Sequence, residues 1–306
     1  SSLHSKPNLG GCCPTLLERL VSGVGFIGLG QIGAPMARRW LAWPDGLTVY
    51  DVHAPATEPF GEGGAHVAAS PAEVAARSAV ISIMVRDDAQ VTEVLAGPDG
   101  ILSAARPGTV VAVHSTIEAE TPARLAELAA AQGVDLVDAP VSGGFMGAHA
   151  GTLALMVGGS DEAFAKVTAP FALLGTLVAH LGPIGAGTRA KLARNLITFA
   201  SMAAVGEASR LAEAAGVDLA KLGDVVRHSD KVTGGSGSTM LRSTTAPLDP
   251  ADGLQPIFTH TRGLGEKDLQ LALALGTEVG VDLPFAHLAL EHLGGALGVP
   301  HSPEPT

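Results

Sequence analysis

Val24-Gly-Phe-Ile-Gly28-Leu-Gly30-Gln-Ile-Gly33-Ala-Pro-Met36 decides how the rest of the chain is read. An apolar, strand-like run enters a turn with glycines spaced Gly-x-Gly-x-x-Gly, and Pro35 and Met36 then open a helix. In such a unit Gly28 permits the tight turn, Gly30 lets a pyrophosphate approach the backbone, and Gly33 allows close helix–strand packing. Leu29, Gln31 and Ile32 complete the expected cofactor loop. With 39 glycines in the chain a plain Gly-rich turn is the competing reading, and the strand before and helix after weigh against it.

The next strand signal, 47–50, ends at Asp51, about 20 residues beyond the fingerprint, where an acid commonly bonds the adenosine ribose hydroxyls. No arginine follows, since Val52 and His53 come next, and a carboxylate there repels a 2′-phosphate. The predicted cofactor is therefore NAD rather than NADP; the competing role for Asp51 is that of a solvated loop acid. Further strand signals at 80–84, 110–113, 134–137, 154–157 and 177–180 alternate with helical stretches at 35–41, 71–77, 89–95, 122–132 and 161–173. Ser70-Pro71 and Thr121-Pro122 read as the clearest helix starts. This rhythm predicts an α/β class: a Rossmann-type, doubly wound, mostly parallel sheet over 23–184. From 188 to 215 no proline interrupts the pattern, which predicts one long helix leading into an all-helical domain over 185–298. Helices are expected at 219–227, 266–279 and 284–297, and a long loop near 233–254. Residues 1–22 are expected to be a flexible leader and 299–306 a tail.

Composition narrows the function classes. The 306 residues are 46% hydrophobic and only 16% charged, with 8 Phe, 2 Trp and 1 Tyr, so the core is built from Ala, Leu and Val. A formal charge of −11 without clustered Lys and Arg argues against nucleic acid or an anionic membrane as partner. The only cysteines, Cys12 and Cys13, are adjacent and staple nothing, so a reducing cytoplasmic compartment is expected. No apolar run reaches the roughly 18 residues of a membrane span, and the leader lacks a signal-peptide core. The 11 histidines make no HxxxH pair, and no metal is expected.

Two further stretches carry chemistry. Behind the strand signal at 134–137 runs Asp138-Ala-Pro-Val-Ser-Gly-Gly-Phe-Met-Gly-Ala-His-Ala-Gly-Thr-Leu153. Its Ser142, Gly143 and Gly144 offer a hydroxyl and successive N–H groups, suited to a small anion such as a carboxylate. In Gly185-Ala-Gly-Thr-Arg-Ala-Lys191-Leu-Ala-Arg-Asn195, Lys191 and Asn195 lie four apart on one helix face. A lysine whose pKa is lowered can pass a proton to and from a hydroxyl, and the Asn can fix both lysine and substrate. On periodicity alone, an exposed helical Lys beside an Asn is commonplace. Ser115-Thr116 follows a strand end where α/β sheets bind ligands, with a helix cap as the rival role; Lys267-Asp268 could serve a ligand or be a solvated pair. His114 and His149 stand as ligand neighbours or packing residues.

Together these motifs resemble the β-hydroxyacid dehydrogenase family, with 3-hydroxyisobutyrate dehydrogenase and tartronate semialdehyde reductase among its members, over about residues 24–296. Residues 26–36 look like its cofactor motif, 138–153 like its substrate motif and 185–195 like its catalytic motif. The resemblance implies Lys191 as catalytic acid/base, Asn195 as its substrate-orienting partner, and Ser142, Gly143 and Gly144 as the carboxylate grip. It also implies cofactor contacts from Val85, Arg86, Thr116 and Lys267. The chain departs from the pattern at His114, where an Asp usually stands, and at Arg86, where a Pro often does. The expectation is an NAD-dependent dehydrogenase of a small 3-hydroxy acid, forming a homodimer or homotetramer by family likeness and by its long apolar helix. The alternatives are a carbonyl or imine reductase of the same superfold, against which Lys191 and the Ser142-Gly-Gly run argue, or a non-catalytic NAD-sensing protein, against which the Lys191/Asn195 pair argues.

Overall fold

A computed structural model describes residues 23–300. The expectations for 1–22, including Cys12 and Cys13, and for 301–306 lie outside them. The chain divides into two compact units at Arg194/Asn195, inside the long helix.

In the first unit β1 (Gly23–Ile27) pairs in parallel with both β2 (Leu47–Tyr50) and β4 (Ser78–Ile83), Val24 facing Leu47 on one side and Val80 on the other. With β3 (His66–Val67), β5 (Val110–Val113) and β6 (Asp135–Asp138) the parallel order is β3-β2-β1-β4-β5-β6. Beyond β6 the sheet turns antiparallel: β8 (Leu153–Gly158) pairs with β6 and with the two-residue β7 (Val141–Ser142), and β9 (Gly175–Gly182) then runs parallel to β8. The central strands read as unbroken apolar runs because both faces are covered. In β5, Val110 and Ala112 join one buried cluster while Val111 and Val113 join the other.

On the first face lie α1 (Gly33–Arg38), α6 (Gly144–Ala150) and α7 (Asp161–Phe171), contributing Met36 and Ala37, Ala148, and Val167 and Phe171; the fully buried Trp40 follows α1. Trp40 donates its indole N–H to the Pro170 carbonyl at 2.8 Å and meets Phe26 edge-on, which satisfies the one polar atom of a large buried side chain. The other face takes α3 (Pro71–Arg77), α4 (Asp88–Ala96) and α5 (Thr121–Ala130) through Val74, Val91, Leu95, Leu125 and Ala129. A short α2 (Glu58–Glu62) precedes β3. Ser70, Asp87 and Ser160 cap α3, α4 and α7 through their side-chain oxygens. Thr121 does not cap α5 as its sequence context predicts; its hydroxyl donates to Asp88 Oδ1 at 2.5 Å, tying α5 to α4.

The second unit holds the rest of α8 (Ala186–Ala214) with α9 (Leu219–Thr233), α10 (Gln255–Val279) and α11 (Pro284–Leu297). Apart from a 3₁₀ turn at Gly235–Thr239, residues 234–254 carry no helix or strand. α10 starts well before the predicted 266 because Gly263 and Gly265 are helical; a Cβ on Gly265 would meet Leu293 of α11 at 2.6 Å, so close helix packing favours the glycine. Glu207 of α8 is buried and accepts the N–H groups of Phe285 and Ala286 at 3.0 and 2.9 Å, capping α11. The small core of this unit gathers Phe258, Leu297 and Val299. No helix among the described residues is long and apolar enough to cross a membrane.

Candidate active site

The strand order reverses at β1/β4, and the carboxyl ends of those strands open into a cavity of about 730 Å³. Gly28, Gly30, Gln31, Ile32, Gly33, Asp51, Val85 and Arg86 line it. The three fingerprint glycines differ in what holds them. Gly28 turns the chain at φ +94°, and a Cβ there would sit 2.2 Å from the Met84 carbonyl. At Gly33 a Cβ would fall 1.9 Å from the Gly28 carbonyl. At Gly30 a Cβ would meet no atom within 4 Å, so the protein itself leaves this space open. A backbone cradle that only a side chain of its own would fill fits a dinucleotide pyrophosphate.

Asp51 follows β2 and accepts two backbone N–H groups, Leu29 on Oδ2 at 2.6 Å and His53 on Oδ1 at 2.7 Å. The carboxylate thus stitches the end of β2 to the fingerprint loop, and each oxygen keeps a second acceptor position for a ribose hydroxyl. Across the cavity the turn after β4 is clamped by Ser115, whose buried hydroxyl accepts from Val85 N–H at 3.0 Å and contacts the Val85 carbonyl at 2.7 Å. Gln90 Oε1 accepts from Arg86 N–H at 3.0 Å. The Arg86 side chain is exposed and lies 3.6 Å from Asp87. Sequence reasoning missed Tyr50, Met84, Gln90 and Glu93 in this wall. Their signal was positional: Tyr50 ends β2, Met84 directly follows β4, and Gln90 and Glu93 lie on α4, the helix that follows β4. Thr116 is exposed, next to the buried Ser115. Lys267 is exposed on α10 in the second unit, paired with Asp268 at 2.9 Å.

The Gly-rich run after β6 is more ordered than its composition suggests. Val141 and Ser142 form β7 against β8, Gly143 (φ +132°) and Gly144 (φ +60°) reverse the chain, and α6 follows at once. Gly143 and Gly144 are exposed, and the N–H groups of the first helical turn have no partner within the helix, which leaves them for a ligand. Lys191, on the second turn of α8, donates from Nζ to the Val141 carbonyl at 2.7 Å. The 138–153 and 185–195 stretches, whose contacting residues are 50 positions apart, therefore meet within the first unit. Burial pushes the Lys191 amine below the ordinary lysine range, and the Arg194 guanidinium adds to the effect. Asn195 is half-buried on the same helix and belongs to the second unit.

His114 is a packing residue. It is 1% exposed, its Nδ1–H donates to the Ala139 carbonyl at 2.6 Å, and Nε2 accepts from Ser82 at 2.7 Å, with Phe26 stacked on the ring. Burial brings its pKa down to about 4, against the partial lift from Ala139, so the ring is neutral. His149 is exposed on α6, edge-on to Phe145. No group of three or more metal-ligating side chains occurs among the described residues.

Residues 23–182 match the family model of the NAD binding domain of 6-phosphogluconate dehydrogenase, and 185–297 that of the NAD-binding region of NADP-dependent 3-hydroxyisobutyrate dehydrogenase. An uncharacterized oxidoreductase of Mycobacterium tuberculosis (strain ATCC 25618 / H37Rv) is 58% identical over 91% of this chain and 94% of its own. The 2-(hydroxymethyl)glutarate dehydrogenase of Eubacterium barkeri is 34% identical over 89% of this chain and 88% of its own. Among solved structures, Mycobacterium tuberculosis 3-hydroxyisobutyrate dehydrogenase with L-serine aligns at a TM-score of 0.63 and 29% identity, over 90% of this chain and 93% of that one.

Proposed function

The chain belongs to the β-hydroxyacid dehydrogenases related to 3-hydroxyisobutyrate dehydrogenase, oxidoreductases with NAD(P)-binding domains, and from that premise we propose that it interconverts a small 3-hydroxy carboxylic acid and its semialdehyde with Lys191 as acid/base. The observation that carries this reading is the 2.7 Å bond from Lys191 Nζ to the carbonyl of Val141, the residue directly before Ser142. It holds the amine beside the group that would grip a carboxylate. Half-burial favours the neutral amine, whose lone pair accepts the hydroxyl proton during oxidation. In the reverse direction the ammonium returns that proton to the carbonyl oxygen. Ser142 and the backbone N–H groups at Gly143 and Gly144 orient the carboxylate, and Asn195 fixes the hydroxyl end.

A nicotinamide dinucleotide, when bound, supplies the two-electron acceptor for the alcohol. Gly28, Leu29, Gly30, Gln31, Ile32 and Gly33 would hold its pyrophosphate, Asp51 its adenosine ribose, and Val85 and Arg86 the opposite wall, with Thr116 and Lys267 as further contacts. Asp51 favours NAD over NADP, because a second negative charge beside its carboxylate is repelled. Leu196, Phe199, Met202 and Val205 stand exposed along α8, a stripe of apolar surface that favours a homodimer or homotetramer.

The test is Lys191→Ala, assayed with 3-hydroxyisobutyrate, 3-hydroxypropionate, serine and glycerate and with NAD and NADP in parallel. Turnover should fall by about 10²–10⁴-fold while NADH affinity stays within about twofold. A variant that turns over within about threefold of wild type refutes the role of Lys191. Silence of the wild type across the panel, with cofactor bound, refutes the substrate class.

A further inference from the structure

Asp138 opens the substrate motif yet cannot touch a substrate there, because it is 0% exposed. Its Oδ1 accepts the N–H of Gly185 at 2.7 Å and its Oδ2 the N–H of Thr188 at 2.5 Å, so one carboxylate covers the N-terminus of α8 from the end of β6. The surroundings are cut to its shape. A Cβ on Gly158 of β8 would lie 2.4 Å from Oδ1, and one on Gly187 would lie 2.6 Å from the Asp138 carbonyl and 3.1 Å from Oδ2. Two elements, β8 and α8, thus leave room for this side chain. Three residues after Asp138, Val141 receives the Lys191 amine from the second turn of the same helix.

We propose that Asp138 is a positioning residue for the proton-transfer lysine: its buried carboxylate locks the first turn of α8 onto residues 138–142, so that Lys191 and the Ser142 strand are held as one rigid piece. The inference rests on Lys191 being the acid/base. The physical case is one of leverage. A helix start free to pivot would carry Nζ, at the tip of a long side chain, through a distance of the order of 1 Å, and misplacement of that size costs about 10²-fold in rate. A carboxylate accepting two N–H groups at a helix N-terminus opposes the pivot by hydrogen bonds and by the helix dipole together. An uncharged helix cap at the surface would resist it far less. Asp138 lines no part of the dinucleotide cavity.

The test is Asp138→Asn, which keeps the shape and replaces one acceptor by an NH₂ facing another donor. Expected are a kcat lower by about 100-fold, NADH affinity within about twofold, and, in the ligand-free protein, a Lys191 amine pKa measured by NMR that moves toward the ordinary lysine value as the side chain escapes burial. A role confined to folding lowers the melting temperature without moving the lysine pKa. Gly158→Ala supplies the second variant, since its methyl pushes both on the same carboxylate and on the backbone nitrogens of Ala186 and Gly187 at the helix start that the carboxylate holds, and should show the same kcat loss at unchanged NADH affinity. Wild-type kcat and lysine pKa in folded Asp138→Asn or Gly158→Ala overturn the proposal, as does loss of the fold in both. An active Lys191→Ala refutes the acid/base reading, whereas an inactive Lys191→Ala beside a fully active Asp138→Asn refutes the positioning role alone.

Discussion

Gly30 and Gly33 are three residues apart in one motif, yet the structure predicts opposite consequences for the same added methyl group. At Gly30 a Cβ meets nothing within 4 Å, and the backbone is not in the left-handed region. Gly30→Ala should therefore leave the ligand-free fold intact or stabilise it by up to about 1 kcal/mol, because the unfolded chain loses freedom. For a protein of this size that is a rise of roughly 2–4 °C or less in melting temperature. At Gly33 the methyl would fall 1.9 Å from the Gly28 carbonyl and 3.3 Å from the Phe26 ring. Ordinary contact starts near 3.4 Å, so α1 must retreat from β1 by about 1.5 Å, which costs roughly 1–3 kcal/mol of overpacking. Cofactor affinity should separate from stability. Gly30→Ala fills the space a pyrophosphate must enter and should raise the NADH dissociation constant at least about tenfold, equivalent to about 1.4 kcal/mol. Urea unfolding of the ligand-free proteins and an NADH fluorescence titration measure the two effects. Gly30→Ala binding NADH like the wild type would refute the cradle, and Gly33→Ala with an unchanged melting temperature would refute the packing argument.

Asp51→Ala should weaken NAD more than NADP in paired titrations; an unchanged affinity ratio removes Asp51 from cofactor choice. His114 predicts a pH dependence of stability. Its folded pKa of about 4 lies below the ordinary 6.5, so the unfolded chain binds the extra proton and its contribution, complete above pH 6.5, is lost as pH falls toward 4. The shift corresponds to about 3 kcal/mol in total and to about 2 kcal/mol between pH 7 and pH 5. Urea unfolding at the two pH values should show a loss in wild type larger by that amount than in His114→Phe, and equal losses would contradict a buried neutral ring. Light scattering should find a dimer or tetramer that Phe199→Asp with Met202→Asp dissociates; a monomeric wild type would exclude the α8 interface.

The fold was readable where one segment carried its own signal. The central strands announce themselves as runs such as Val110–Val113 because helices cover both faces, and Ser70, Asp87 and Ser160 mark helix starts by local hydrogen bonds. Elements with little of their own were lost. The two residues of β7 are a strand only because β8 lies beside them, and α6 hides in a Gly-rich run because two positive-φ glycines, Gly143 and Gly144, turn the chain at its start. At 121 the helix starts where the sequence places it, but the Thr121 hydroxyl goes to Asp88, 33 residues away, instead of capping it.

The same division runs through the site. Sequence by itself determined the class of sheet, the glycine loop with its open position at Gly30, the acid at Asp51 and the family, since each of these is written in neighbouring residues at fixed spacing. Only the tertiary structure decided that Lys191 rests on Val141, that Asp138 closes the start of α8, and that His114 is a neutral strut between strands rather than a ligand. Those contacts join residues 25 to 50 positions apart. Periodicity is blind at that range, because it reports which face of an element is apolar and not which partner the packed chain brings against it.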